Sequence, residues 1–337
     1  MQCWLEKSRN SNRRRFLSNG LCALIGFASL QTTFAQAPAG DRFPAQPVTV
    51  VVPFPAGGST DYAARAVAQS LADTWKVPVV VENKVGAGGN IGADFVARSP
   101  ANGQTILLGA VSAVVNPPLY KIAPYLPQQL ASIGVGVATP LVTVVRKDLP
   151  ASDIPALLAL SRSRPDGLNA ASAGAGTLSH LGLELLQADH KGNLRHIPYK
   201  GSAPALTDLM GGQVDVLIDT VVSASAAIAA GKVRAIAVHT PSRLPALPSV
   251  ATYDEQGVKG MTFSAWNIFM VPAATPADRI VILNAAMSKA IRDPSMVRSL
   301  SARGFELIVQ SPSESMETIR SESQRWEKVI KDRNVTL

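Results

Sequence analysis

The hydrophobic pattern is most informative between residues 48 and 75. Val48, Thr49, Val50, Val51 and Val52 form a β-branched run that reads as a buried strand, and Pro53 and Pro55 end it because proline cannot donate to a sheet ladder. Further on, Ala63, Val67, Leu71 and Trp75 recur every fourth residue and mark one face of a helix. Between the two patterns, Gly57 and Gly58 permit a tight turn, and Ser59, Thr60 and Asp61 are residue types that cap helices. A buried strand thus delivers an apolar, glycine-rich turn to the positive end of a helix, where N–H groups without intrahelical partners can hold an anion or a carboxylate. An ordinary βα turn with glycines for geometry is the alternative reading.

The same alternation continues along the chain. Strands are predicted at residues 78–82, 105–109, 133–145, 168–171, 194–197, 214–219, 233–238 and 266–271. Helices are predicted at 91–98, 177–187, 203–210, 223–230, 276–291 and 312–330, with another starting at Asp153 and carrying Pro155 in its first turn. This βα alternation predicts an α/β fold with a parallel sheet and helices on both faces, whose ligands sit beyond the strand carboxyl ends. One rim then collects residues 55–61, 86–90 and 110–112, Ser112 among them. The pattern restarts after residue 153, which implies two similar lobes. The chain's return to the first lobe is placed near His239 or nearer Trp266.

The second lobe repeats the opening device. Gly174, Gly176 and Thr177 precede an amphipathic helix that carries Leu178, Leu181 and Leu185 on one face. A helix start from each lobe facing one cleft would grip a carboxylate with N–H groups and hydroxyls, without any arginine. Tyr199 and Asp219 fall at later rim positions. Asp219 is suited to accept from a ligand amine or hydroxyl, or to cap the next helix.

Cysteine and charge narrow the chemistry. Arg13-Arg14-Arg15, an apolar run at residues 21–30 and the small residues up to Ala37 have the layout of a signal peptide cut after about Ala37. The Arg-Arg-x-Phe-Leu order also resembles a twin-arginine signal, and Sec export stays open beside it. Cys3 and Cys22 both lie in this segment, so the mature chain is expected to have no disulfide, thiolate nucleophile or cysteine metal site. Lys7, Arg9, Arg13, Arg14 and Arg15 against Glu6 account for four of the eight net positive charges, and the mild excess left over does not point to nucleic acid. The segment Gly86 to Gly92 departs from the dinucleotide spacing, and no acid occurs between Asp94 and Asp148 to hold a ribose. His180, His190, His196 and His239 show no metal-ligand spacing. No cofactor, metal or catalytic residue is expected.

Several segments taken together resemble one family, the periplasmic receptors of tripartite tricarboxylate transporters, also called Bug receptors. They are PFPAGGSTDYAAR from Pro53, VVVENKVGAGGNIGADFVA from Val79, SAGAGTLSHLGLELL from Ser172, HIPYKGSAPALTDLMGGQVDVLID from His196, AGKVRAIAV from Ala230 and WNIFMVPAATP from Trp266. The resemblance runs from about Phe43 to Lys328. It implies a type II periplasmic binding fold, two doubly wound α/β lobes joined by a hinge, with lobe 1 at 38–139 and 240–337 and lobe 2 at 140–239. It also implies a non-enzymatic periplasmic receptor that is a monomer, captures a small organic acid and passes it to transporter membrane subunits. A sensing module for a membrane signalling partner is the alternative, and an exported enzyme on a similar fold is a further one. Carried over residue by residue, the site is Phe54, Pro55, Ala56, Gly58 and Asp61 on one side and Gly176, Thr177 and Tyr199 on the other, with Ser112 and Asp219 completing the rim. Two departures stand out: the acidic residue usual before the first crossover is missing from Pro127-Gln128-Gln129-Leu130, and Asn-Ile-Phe-Met follows Trp266 where a glycine is common.

Overall fold

The computed structural model describes residues 43–115, 119, 124–332 and 335; the expected signal peptide lies outside the described residues. Strand β1 (Val48–Val52) is buried at every position except Thr49. It pairs in parallel with β2 (Val79–Asn83) on one side and β3 (Thr105–Ala110) on the other. Helix α1 (Ser59–Trp75) buries Ala63, Ala64, Val67 and Leu71, as the four-residue step requires, and ends at Lys76 in the left-handed region. Helix α2 (Asn90–Ala97) and the short α3 (Ser112–Val115) follow β2 and β3.

The architecture turns on β4 (Leu130–Arg146), 17 residues long and nearly all buried. At about 3.3 Å per residue it is roughly 55 Å long, enough to serve two sheets end to end. Up to Pro140 it pairs with β9 (Ser264–Pro272), and over Val135–Ala138 also with β10 (Glu306–Val309). From Leu141 onward it pairs with β7 (Val216–Thr220) and β8 (Val233–Val238). Beyond β7 lie β5 (Leu168–Ser172) and β6 (Leu194–Pro198), in parallel. Two lobes result, each with its own sheet and helices.

The expected all-parallel sheet is corrected at this junction. β3–β9, β4–β9, β4–β10, β4–β7 and β4–β8 are all antiparallel. The physical reason is directional: β4 carries the chain out of the first sheet and β9 brings it back, so the two crossings run in opposite senses.

In the second lobe α4 (Ile154–Ser163) begins at Asp153, whose carboxylate accepts from Ala156 N–H at 2.8 Å. Helices α5 (Leu178–His190), α6 (Ser202–Met210) and α7 (Val221–Ala229) follow β5, β6 and β7. The C-terminal part supplies α8 (Ala277–Ile291), α9 (Pro294–Ser301) and α10 (Pro312–Asp332). Leu283, Met287 and Ile291 of α8 join Val50, Leu71 and Ile106 in the first lobe's core. α9 and β10 are elements that the sequence reading did not place, and the four-residue β10 is too short to show a period. Residues 239–263 stay with the second sheet: His239 N–H donates to Leu141 O and Tyr253 N–H to Val238 O. The buried rings of His239, Tyr253 and Phe263 pack together there, and Trp326 of α10 meets Phe263 edge-on with centroids 5.4 Å apart. Among the described residues no helix is long and apolar enough to cross a membrane.

Candidate ligand-binding site

A cleft of about 720 Å³ opens where the strand ends of both lobes converge. Five helix starts reach its wall: Ser59 and Thr60 of α1, Ser112 of the short α3, Thr177 to Ser179 at α5, Ser202 and Ala203 of α6, and Thr220 before α7. Among the described residues that line it, Asp219 is the only charged one, and none is Lys, Arg or His. Most of the rest is apolar, including Phe54, Pro55, Val111, Leu141, Leu178 and Trp266. Such a wall excludes water and leaves backbone donors as the main source of positive potential.

The α1 turn is built from the carboxylate behind it. Gly57 takes φ +87°, a conformation that favours glycine, and its N–H donates to Asp61 Oδ2 at 3.0 Å. Arg65 Nε donates to the same oxygen at 2.9 Å, and Asn83 Nδ2 donates to Oδ1 at 2.9 Å and also to Phe54 O. Burial pushes the Asp61 carboxyl up, but the hydrogen bonds from Arg65, Gly57 and Asn83 outweigh it and hold the group below its usual range. The N-cap is Gly58, which offers no side chain to the helix start. The first N–H groups of α1 therefore have no intrahelical partner and no cap.

The α5 turn is braced differently. Thr177 Oγ1 donates to Gly174 O at 2.7 Å and accepts from His180 N–H at 3.4 Å. Gly176 N–H donates to His180 Nδ1 at 3.1 Å, which leaves that ring's proton on Nε2, 3.3 Å from Glu184 Oε1. His196 stacks on His180 with centroids 4.0 Å apart, and its Nε2 lies 2.6 Å from Ser172 Oγ, which accepts from Gly174 N–H. Burial, then the neighbouring His180, pushes His196 down to about 4 in spite of Glu184, so His196 is a neutral imidazole near pH 7.

At α7 the cap is Thr220, whose Oγ1 accepts from Ser223 N–H at 3.2 Å. Asp219 is thus not the helix cap. Its Oδ1 accepts from Ser202 Oγ at 2.6 Å and from Thr220 N–H at 2.7 Å, while Oδ2 has no partner, and the residue is 2% exposed. Burial pushes this carboxyl up to about 6, more than those two hydrogen bonds pull it down. Across the cleft, Ser112 Oγ and Trp266 Nε1 are likewise buried and unpartnered.

Phe54, Pro55, Gly58, Ser112, Thr177 and Asp219 all line the cleft, as the sequence places them. Four other expected residues do not. Ala56 is exposed at the turn's outer edge, and Asp61 points back to Arg65 and Asn83. Gly176 spends its N–H on His180. Tyr199 borders a neighbouring hollow with Gly86–Gly89, its hydroxyl bound to Asp208 Oδ2 at 2.6 Å and, through burial and that carboxylate, pushed up to about 12. Ser59, Thr60, Ser202 and Thr220 belong to rim stretches legible in the sequence without being singled out as contacts, whereas Ser179, Leu141, Trp266 and Asn267 were missed. The Gly201-Ser202 start of α6 repeats the Gly58-Ser59 signature and was readable; Leu141 and Asn267 carry no local signal.

Two α/β lobes with a cleft between them, into which helix starts of both lobes lead, have the architecture of a solute-binding receptor. A family model described as the tripartite tricarboxylate transporter family receptor matches residues 63–335. The chain belongs to this family. It is 38% identical over 323 residues to the UPF0065 protein of the tcbD-tcbE intergenic region in Pseudomonas sp. (strain P51), covering 95% of this chain and 94% of the relative. MatC from Rhodopseudomonas palustris with bound malate superimposes with a TM-score of 0.81 at 32% identity, over 86% of this chain and 100% of that one. A second R. palustris protein, with adipate, reaches a TM-score of 0.83 at 32% identity, over 87% and 99%.

Proposed function

We propose that this receptor takes a small organic carboxylate into the cleft between its lobes, in the periplasm, and hands it as a monomer to the membrane subunits of a tripartite transporter. The observation that carries the reading is that uncapped or hydroxyl-capped helix starts from both lobes meet at a wall that holds no Lys, Arg or His among the described residues, which suits a carboxylate gripped by N–H groups and dipoles. The relatives with malate and with adipate support an organic acid. Phe54, Pro55, Gly58, Thr177 and Ser112 are the proposed contacts, joined by Ser59, Thr60, Ser202 and Trp266; Ala56, Asp61, Gly176 and Tyr199 shape the turns or flank them. The pairing of β4 and β9 supports a lobe division at 140/141 and at 263/264, the later of the two return points left open by the sequence. Export through the N-terminal segment is part of the same proposal.

The test is a thermal-shift screen against malate, adipate and other two- to eight-carbon acids, since a ligand that binds only the folded chain raises its melting temperature by mass action. At least one acid is expected to stabilise the chain by several degrees at millimolar concentration. Equal melting temperatures with and without every acid sink the reading.

A further inference from the structure

The cleft's unpartnered groups are sorted by lobe. The first lobe contributes two donors, Ser112 Oγ–H and Trp266 Nε1–H, at 3% and 7% exposure. The second contributes one acceptor, Asp219 Oδ2, on a carboxylate whose other oxygen is already used by Ser202 and Thr220. A buried polar atom without a partner costs free energy that a ligand of matching chemistry recovers. The ligand's carboxylate can meet the donors and the helix starts. An ionised, unsubstituted diacid brings no hydrogen-bond donor to Asp219 Oδ2: its second carboxylate there would face the buried carboxylate as a like charge, with no Lys, Arg or His among the described lining residues to separate them.

We infer that Asp219 is a specificity-determining residue that reads a hydrogen-bond donor on the ligand, so that the cleft prefers an acid bearing an ammonium or hydroxyl group over the unsubstituted diacid of the same carbon skeleton. This rests on the proposed carboxylate site. A donor hydrogen-bonded to a charged group contributes roughly ten- to a hundredfold in affinity. Capping the next helix does not account for the side chain, because Thr220 does that.

Calorimetry on the purified chain, with acids matched in skeleton, tests it: succinate, malate and aspartate; glutarate, 2-hydroxyglutarate and glutamate; adipate and 2-aminoadipate. At least one donor-bearing acid should bind about tenfold or more tightly than its unsubstituted partner, and whether the hydroxyl or the ammonium acid leads names the donor. In Asp219→Asn the side-chain oxygen can still accept from Ser202 and Thr220, while an NH2 replaces Oδ2. The ratio should fall to within about twofold or reverse, with the melting temperature of the ligand-free chain unchanged or raised. If every diacid that binds does so as tightly as its substituted partners, the inference is overturned and the receptor reading stands. A ratio that Asp219→Asn does not alter has the same consequence. Failure of every acid to bind overturns the receptor reading and this inference together. Should the variant not fold, the wild-type ratios alone decide.

Discussion

The turn before α1 and the turn before α5 both lead a buried strand into a helix start at the cleft, yet they are supported by opposite chemistry. The first has no cap, and behind it an ionised carboxylate, Asp61, gathers Gly57 N–H, Arg65 and Asn83. The second is capped by Thr177, and behind it the ring of His180 takes the Gly176 N–H on Nδ1 while His196 stacks on that ring. Both arrangements fix a chain of N–H groups without placing a charge at the cleft wall. A cation there would hold a carboxylate more tightly but release it more slowly, whereas helix starts leave the grip reversible.

The largest effect is expected where the first turn depends on the other lobe. Gly201, the residue before α6, has φ +124°, and a Cβ built on it would stand 2.5 Å from Pro55 Cδ. In Gly201→Ala the lobes cannot approach as they do here, and calorimetry should find ligand affinity reduced by about a hundredfold, a displacement on the scale that costs such factors. Backbone strain should remove about 1–2 kcal/mol of stability. Gly212→Ala is the control, because Gly212 also has a positive φ, +76°, but nothing lies within 4 Å of its Cβ position. Equal loss of affinity in both variants would show that strain, not closure, is responsible.

A smaller effect separates the two supports directly. Asp61→Ala removes the acceptor for three donors and should lower stability by about 2 kcal/mol, since a 3% exposed carboxylate leaves its partners without replacement. Thr177→Val keeps the shape, loses one cap, and should lower stability by about 1 kcal/mol. Both should weaken ligand binding several-fold, and denaturant melts rank them. A Thr177→Val cost above that of Asp61→Ala would reverse the order proposed for the two supports.

What could be read from the chain follows the range over which each signal acts. Strand and helix positions are local, set by β-branched runs and a four-residue step, and β1, α1 and β8 fall where those patterns put them. Partner direction is not local: β4 reads as a strand from its own residues, but nothing in them says that it is shared by two sheets and met in antiparallel by β9. The same limit governs the site. Asp61 stands where a carboxylate belongs at a helix start, but whether it faces the cleft is decided by Asn83, 22 positions away. Trp266 and Asn267 arrive from the far crossing, beyond the reach of any motif around the glycine turns.

The smallest predicted effect depends on pH, because the two supports titrate in different windows. Asp61 is held below its usual value of 3.8, so its contribution is present above that pH and is lost only as pH falls through the lower, folded value. His196 is held at about 4 against 6.5 in the unfolded chain, so between those values the unfolded state binds the extra proton and stability falls as pH falls. For one such group the loss between pH 7 and pH 6 is roughly 0.7 kcal/mol, about 1–2 °C in melting temperature for a chain of this size. His239, buried and held at about 3, acts in the same direction, and Asp219, raised to about 6, acts in the opposite one because the folded state then holds the extra proton. The difference between wild type and His196→Gln isolates the one group, since the other two titrate alike in both proteins. The variant should lose less stability than wild type on going from pH 7 to pH 6, and parallel melting curves across that interval would show that the second turn does not rest on a neutral His196.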